Sequence, residues 1–337
     1  MSSLTNGDFF KYNYLTKLIS YSNISNIREG IMYDLNKIKD CLNTKYIGQT
    51  IIQFDELKST FAKSKNIFDT CPNGAVVLSE NQFNCRIRFN RKWISMPDKN
   101  IYLSIILKPY HDNFSIPKFE AVTCACVHES IKNLCSTECQ IKWPNDLFIN
   151  NKKVASISCE EIKIKNKIEG IIISTSINVN DFDEESENNQ NNKYKIEDNN
   201  VINKEFNQES LELKEETDSV IYNEFHEIKK NVTSIKAETK IKVDRDQLIS
   251  QILNNFERYN EELINSNNTD TAINICNTYS LLNGNEISIN KYKKKSFKKL
   301  MVKNIDSEGW LITINEKGNE EIINSGEITI RYELQKN

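Results

Sequence analysis

Glycine is scarce in this chain, with nine among 337 residues. Most turns and close backbone approaches must therefore be made without the one residue that visits positive φ cheaply. Histidine is scarcer: His111, His128 and His226 lie far apart, so no structural zinc is expected. No apolar run approaches the roughly 20 residues needed to span a bilayer. Residues 1–20 lack a basic segment followed by an apolar one, so no secretory signal is expected. Positive charge is not in excess. Lys and Arg number 44 against 47 Asp and Glu, a formal net charge of −3. That excludes a global field for nucleic acid or an anionic membrane. The nine cysteines are odd in number and form no Cys-x-x-Cys framework. They are expected to be reduced thiols in a cytoplasmic protein, with an organelle not excluded.

What remains is enough for a sizeable core, with 38% hydrophobic and 27% charged residues. Ile31, Met32, Leu35, Ile38 and Leu42 have helical spacing, predicting a helix over 28–42 within an N-terminal extension, residues 1–44. A β segment is expected at 50–54, followed by a helix with Ser59 and Thr60 at its start, where hydroxyls cap free N–H groups. Residues 75–78 and 102–107 read as buried strands, separated by an arginine-rich polar stretch, 82–100. Pro117 opens a long helix, with Ser115 as its expected cap. Strands are expected at 140–149 and 154–159 around an Asn150-Asn151 turn, then at 160–164 and 168–179 around Asn166.

Residues 181–220 hold 13 acidic residues against four lysines, with eight asparagines. Such a segment cannot bury enough surface to offset its ordering entropy, so 181–230 reads as a disordered acidic insertion. Order is expected again from Thr233. Asp244 and Gln247 have capping-box spacing before a helix over 244–264. Five short strand signals between 286 and 332 predict a small β-barrel over 275–337. The cluster Lys291, Lys293, Lys294, Lys295, Lys298 and Lys299 has few interleaved aromatics. It reads as a solvated loop or a patch for an acidic protein partner, not as a nucleic-acid site.

The sharpest chemical signal is Lys142-Trp143-Pro144-Asn145-Asp146, a cation held by an indole and a proline at a hairpin edge. A lysine held this way suits a carboxylate or phosphate in a partly desolvated pocket. The pentapeptide resembles the signature of the biotin protein ligase family. Five further blocks are similar to that family in order: Ile51 to Thr60; Gln82 to Trp93; Lys153 to Ile157 with Glu160; Ile177 to Asn180; and Ser325 to Ile328 with Arg331. The similarity runs from about Lys45 to Tyr332, apart from the acidic insertion.

The resemblance implies an α+β fold: a mixed, mainly antiparallel sheet with flanking helices over 45–270, followed by a Src-homology-3-like β-barrel. It implies an ATP-dependent ligase that makes biotinyl-AMP and passes biotin to a lysine of the biotin carboxyl carrier domain of a biotin-dependent carboxylase. Mg2+ would accompany ATP. Carried over, Lys142, Arg86 and Arg88 are the catalytic residues. Ser59, Thr60, Gln82, Arg86 and Lys142 would bind biotin. Arg88, Arg91, Trp93, Lys153 and Asn178 would bind ATP, with Mg2+ near Asn178. The chain before Lys45 is too short for a winged helix, so a ligase without repressor function is expected, as monomer or homodimer.

Most departures from the family are at glycines. Cys85, Ile87 and Asn90 replace them in the arginine loop, Ser156 in the block after the lysine motif, and Ser174 and Ser176 before Asn178. Lys58 and Phe61 replace an Asp and an Asn beside the Ser-Thr pair. A β-carbon at such places can crowd a pocket or stiffen a loop. Two alternatives follow: a ligase-fold protein of impaired activity that still binds biotin or adenylate, and a relative of the lipoate ligases, which share the fold.

Overall fold

The computed structural model describes residues 32–83, 98–108, 115–165, 167–181, 231–291, 297–324 and 328–332. Arg86, Arg88, Arg91, Trp93, the replaced positions Cys85, Ile87 and Asn90, most of the acidic insertion, and Ser325 to Glu327 lie outside them.

Seven strands form one sheet. They are β1 (Ile51–Leu57), β2 (Ala75–Gln82), β3 (Ile101–Leu107), β4 (Gln140–Lys142), β5 (Asp146–Ile149), β6 (Lys152–Ile164) and β7 (Lys167–Ile177), in the order β1-β2-β3-β7-β6-β5-β4. Only β1 and β2 pair in parallel; the other described pairings of this sheet are antiparallel. The mixed, mainly antiparallel sheet expected from the sequence is therefore present. The separate strands expected at 154–159 and 160–164 are one continuous strand, β6, which bends at a register shift between Ile162 and Lys163.

Two apolar layers cover the sheet. Side chains alternate along a strand, so neighbouring residues serve opposite faces. Leu103, Ile105, Ile157, Ile171, Ile173 and Ile177 enter the larger core. That core is shared with helix α3 (Ile116–Cys135) and the C-terminal helices α5 (Arg245–Ser266) and α6 (Asp270–Thr278). On the other face Val77, Ile106 and Ile172 pack with Ile67 and Phe68 of the segment joining β1 to β2. That segment is α2 (Thr60–Ile67) and a single 3-10 turn, Phe68–Thr70. The smaller core covers only part of this face. Gly170 is obligatory beside it: a β-carbon there would lie 2.4 Å from Leu107 O and from the Phe68 ring.

The helix starts follow capping chemistry with two exceptions, α3 and α6. Ser59 Oγ accepts from the Ala62 N–H, and Asp244 accepts from the N–H groups of Asp246 and Gln247. Ser115 precedes α3 without a capping bond; Pro117 supplies the preset φ instead. The helix expected over 28–42 is shorter in its described part. Residues 32–34 are not helical, Asp34 caps, and α1 spans Leu35–Asp40. Glu257 of α5 holds the chain beyond this helix. Its buried carboxylate accepts from the backbone N–H groups of Lys45, Tyr46 and Ile47, turning the chain toward β1. A short helix, α4 (Ile235–Thr239), leads into α5.

The C-terminal unit is an antiparallel sheet of β8 (Glu286–Lys291), β9 (Lys298–Ile305), β10 (Leu311–Ile314), β11 (Glu320–Ile323) and β12 (Ile328–Tyr332). Its order is β11-β10-β9-β8-β12. Lys298 and Lys299 of the lysine cluster pair with Glu321 and Glu286.

Candidate functional site

The part of the second sheet face left open by α2 carries polar side chains in two adjacent rows. One row runs across five strands through directly opposed residues: Tyr102, Ser176, Ser156, Asp146 and Lys142. The next row is Ser104, Ser174 and Ser158. Lys142 stands three interstrand steps from Ser176, about 14 Å. Ser156 is buried, Ser174 and Ser176 are half-buried and Ser158 is exposed, so the floor opens to solvent.

At one end, α2 begins beside β2. The Thr60 N–H donates to Gln82 Oε1 at 2.7 Å, and the Thr60 hydroxyl donates to the same oxygen at 3.3 Å. Ser104 Oγ lies 2.8 Å from Thr60 Oγ1 and 2.7 Å from Ser174 Oγ. Thr60 and Gln82, at 2% and 3% exposure, are thus buried and hydrogen-bonded to each other. Ser59 Oγ accepts the capping bond from the Ala62 N–H.

At the other end is the β4–β5 hairpin. The chain turns through Trp143, cis-Pro144 and Asn145. Three contacts seat this turn. Trp143 donates its indole N–H to Gly309 O at 2.9 Å. Asn145 Nδ2 donates to Ile157 O at 2.8 Å and to Glu120 Oε1 at 3.3 Å. Ile141 exchanges backbone bonds with Tyr279 and Leu281. Lys142 lies with its ammonium 5.9 Å from the Phe148 ring centroid. Asp146 Oδ1 accepts from Lys153 Nζ at 2.7 Å and from Ser156 Oγ at 2.9 Å.

Two of the serines that stand in place of glycine are held by these contacts. The Ser174 hydroxyl is drawn into the sheet by Ser104, and the Ser156 hydroxyl by Asp146. Ser104 and Asp146 were given no separate role by sequence reasoning. The signal for Ser104 was a lone hydroxyl inside the apolar run Leu103-Ser104-Ile105 of a buried strand.

Asn178 follows β7. Its Nδ2 donates to Thr233 O, while its buried Oδ1 has no hydrogen-bond partner among the described residues. Thr233 N–H returns to Lys153 O, so Asn178 and Lys153 share one corner. Among the described residues no three His, Cys, Asp or Glu side chains form a metal cluster.

Behind the site, Arg245 binds Glu80 through two hydrogen bonds, 2.6 and 3.2 Å, and Asn100 O at 3.0 Å. Its guanidinium lies over the Tyr33 ring, 4.6 Å from the centroid. Burial pushes the Glu80 carboxyl up, and Arg245 opposes that. The eight described cysteines are unbonded. Burial raises the thiol pKa of Cys124 and Cys126, and that of Cys276 to about 12. Protonated and enclosed, these thiols are unsuited to act as nucleophiles.

Residues 51–178 match the Biotin/lipoate A/B protein ligase family. The chain is 30% identical over 146 residues to the bifunctional ligase/repressor BirA of Bacillus subtilis, covering 43% of this chain and 45% of that protein. It is 29% identical over 133 residues to biotin--protein ligase 1, chloroplastic, of Arabidopsis thaliana, covering 38% and 36%. The matches span less than half the length of these two relatives. In fold it is similar to the biotin protein ligase from Aquifex aeolicus, solved in complex with biotin and ATP. That similarity has a TM-score of 0.63 at 19% identity, over 85% of this chain and 100% of the other. The sequence match spans all seven strands of the first sheet, and the likeness in fold extends through the C-terminal sheet: residues 51–178 form a biotin/lipoate A/B protein ligase family segment.

Proposed function

We propose that the chain is an ATP-dependent biotin protein ligase with residues 45–270 as its catalytic part and 275–337 as an accessory sheet. In the first step a biotin carboxylate oxygen attacks the α-phosphorus of ATP, and pyrophosphate leaves. In the second, a lysine amine of a biotin carboxyl carrier domain attacks the acyl carbon, and AMP leaves. The observation that carries this reading is the polar row from Tyr102 to Lys142. With Thr60 and Gln82 at one end and a cation at the other, it suits a ligand with a polar ring head and an acid tail.

On this reading Lys142 offsets negative charge on the carboxylate and α-phosphate as they meet. Lys153 balances Asp146, and Trp143 and Asn145 hold the hairpin that presents Lys142. The buried thiols do not take part; orientation and charge stabilisation do the catalysis. Arg86, Arg88, Arg91 and Trp93 enter by family resemblance, as binders of the phosphate and adenine. The unpartnered, buried Asn178 Oδ1 is a hard oxygen of the kind Mg2+ takes beside substrate phosphates, and it would help hold Mg-ATP. Bound there, Mg2+ would screen the charge of the phosphates.

The test is transfer. Purified protein, Mg-ATP and a biotin carboxyl carrier domain are incubated with biotin or lipoate, and the carrier's mass is measured. Addition of one biotinyl group, with little lipoyl product, supports the reading. No transfer would overturn it, and preferential lipoyl transfer would assign the chain to the lipoate branch.

A further inference from the structure

The hydroxyl chain at Thr60 has a direction, fixed by counting protons. The Thr60 backbone N–H donates to the Gln82 side chain, so the atom it meets is the amide oxygen, an acceptor only. The Thr60 hydroxyl bonds that same oxygen and must spend its one proton there. Thr60 Oγ1 can then only accept from Ser104, which spends the Ser104 proton. Ser104 Oγ in turn can only accept from Ser174. Every proton in the chain therefore points toward Gln82. Its head is Ser174 Oγ, half-buried on the open floor, with lone pairs alone left to offer. Among the described residues Ser174 has no further hydrogen-bonding partner.

From this polarity we infer that Ser174 is a specificity residue that accepts an N–H from the ring of the ligand. The inference rests on the ligase reading and deepens it. Biotin and lipoate, the two acids in the family's name, differ at this point. The cyclic urea of biotin carries ring N–H groups, whereas the dithiolane of lipoate carries none. Facing lipoate, Ser174 would exchange water for a group that cannot donate. A site built around a hydrogen bond discriminates more sharply than one built on shape. The position is one where glycine would offer no side chain, so the acceptor is a property of this chain's own sequence.

The test measures dissociation constants by calorimetry for biotin, desthiobiotin and lipoate, with wild type, Ser174→Ala and Ser174→Thr. Desthiobiotin keeps the ring N–H groups and lacks the sulfur ring. The expected result is about tenfold weaker binding of both ureas by Ser174→Ala. Lipoate binding should stay within about twofold, and Ser174→Thr should keep wild-type affinity for the ureas. Equal weakening of all three ligands, or unchanged urea binding in Ser174→Ala, would overturn the assignment while leaving the ligase reading intact. Failure of wild type to bind biotin at all would overturn both.

Discussion

Trp143 donates its indole N–H to the carbonyl of Gly309, a residue 166 positions further along the chain. The contact ties the lysine-bearing hairpin to the β9–β10 turn. Gly309 holds φ +80°, and a β-carbon on it would lie 2.6 Å from the Pro117 carbonyl. Beside it Lys118, buried, pairs with Glu308 at 2.7 Å. Gly309→Ala should therefore destabilise the protein by more than about 2 kcal/mol, combining strain with steric overlap. Trp143→Phe, which strands a buried carbonyl, should cost about 1–3 kcal/mol. Urea unfolding measures both. A Gly309→Ala protein as stable as wild type would mean that the turn does not seat on Pro117.

The pair Glu80–Arg245 is buried, with side-chain exposures of 6% and 9%. Removing one member leaves the other charge without compensation. Arg245→Met should cost about 3–5 kcal/mol, and the double variant Arg245→Met/Glu80→Leu should recover much of that. Thermal and urea unfolding of the three proteins form the comparison. Equal losses in the single and double variants would show that packing of the guanidinium on Tyr33, rather than its charge, matters.

These contacts mark the boundary of what the sequence discloses. Local signals were legible: the cap at Ser59, the cap at Asp244, the apolar runs of β2 and β3, and the five short C-terminal strands. Helix α6 was not foreseen. Its buried residues, Ala272, Ile273 and Cys276, make a stripe of barely one turn among Asn and Thr, which favour turns as readily. Helix α4 buries only Ile235. The helix expected over 28–42 misled in the other direction, because the apolar spacing of Met32 and Leu35 runs straight through Asp34, whose carboxylate caps the helix that starts at Leu35. At the site, the motif pointed to Lys142, but the alignment of Ser176, Ser156 and Asp146 with it depends on register. No residue announces the register of strands paired across the sheet.

His128 provides a pH prediction. It is buried in α3, its ring tilted against Tyr279 at 4.0 Å between centroids, with Nδ1 2.8 Å from Cys139 O. Burial lowers its pKa below 6.5 in the folded protein. The unfolded chain therefore takes up the proton first as pH falls. Stability linked to His128 is fully present above about pH 6.5 and declines as pH falls from there through the lower folded value. His128→Asn removes the titration and retains an amide donor for Cys139. Melting temperatures between pH 7.5 and 5 should fall more steeply for wild type than for the variant. Parallel curves would exclude His128 as a source of the dependence.

The central claim is that Lys142 stabilises charge in a biotin-dependent attack on ATP. The most direct measurement is single-turnover pyrophosphate release with Mg-ATP, with and without biotin, by wild type and by Lys142→Ala of equal thermal stability. The account predicts release by wild type only when biotin is present, and release by the variant slower by about 100- to 1,000-fold. Absence of biotin-dependent release from wild type, or a variant within about threefold of it, would contradict the account.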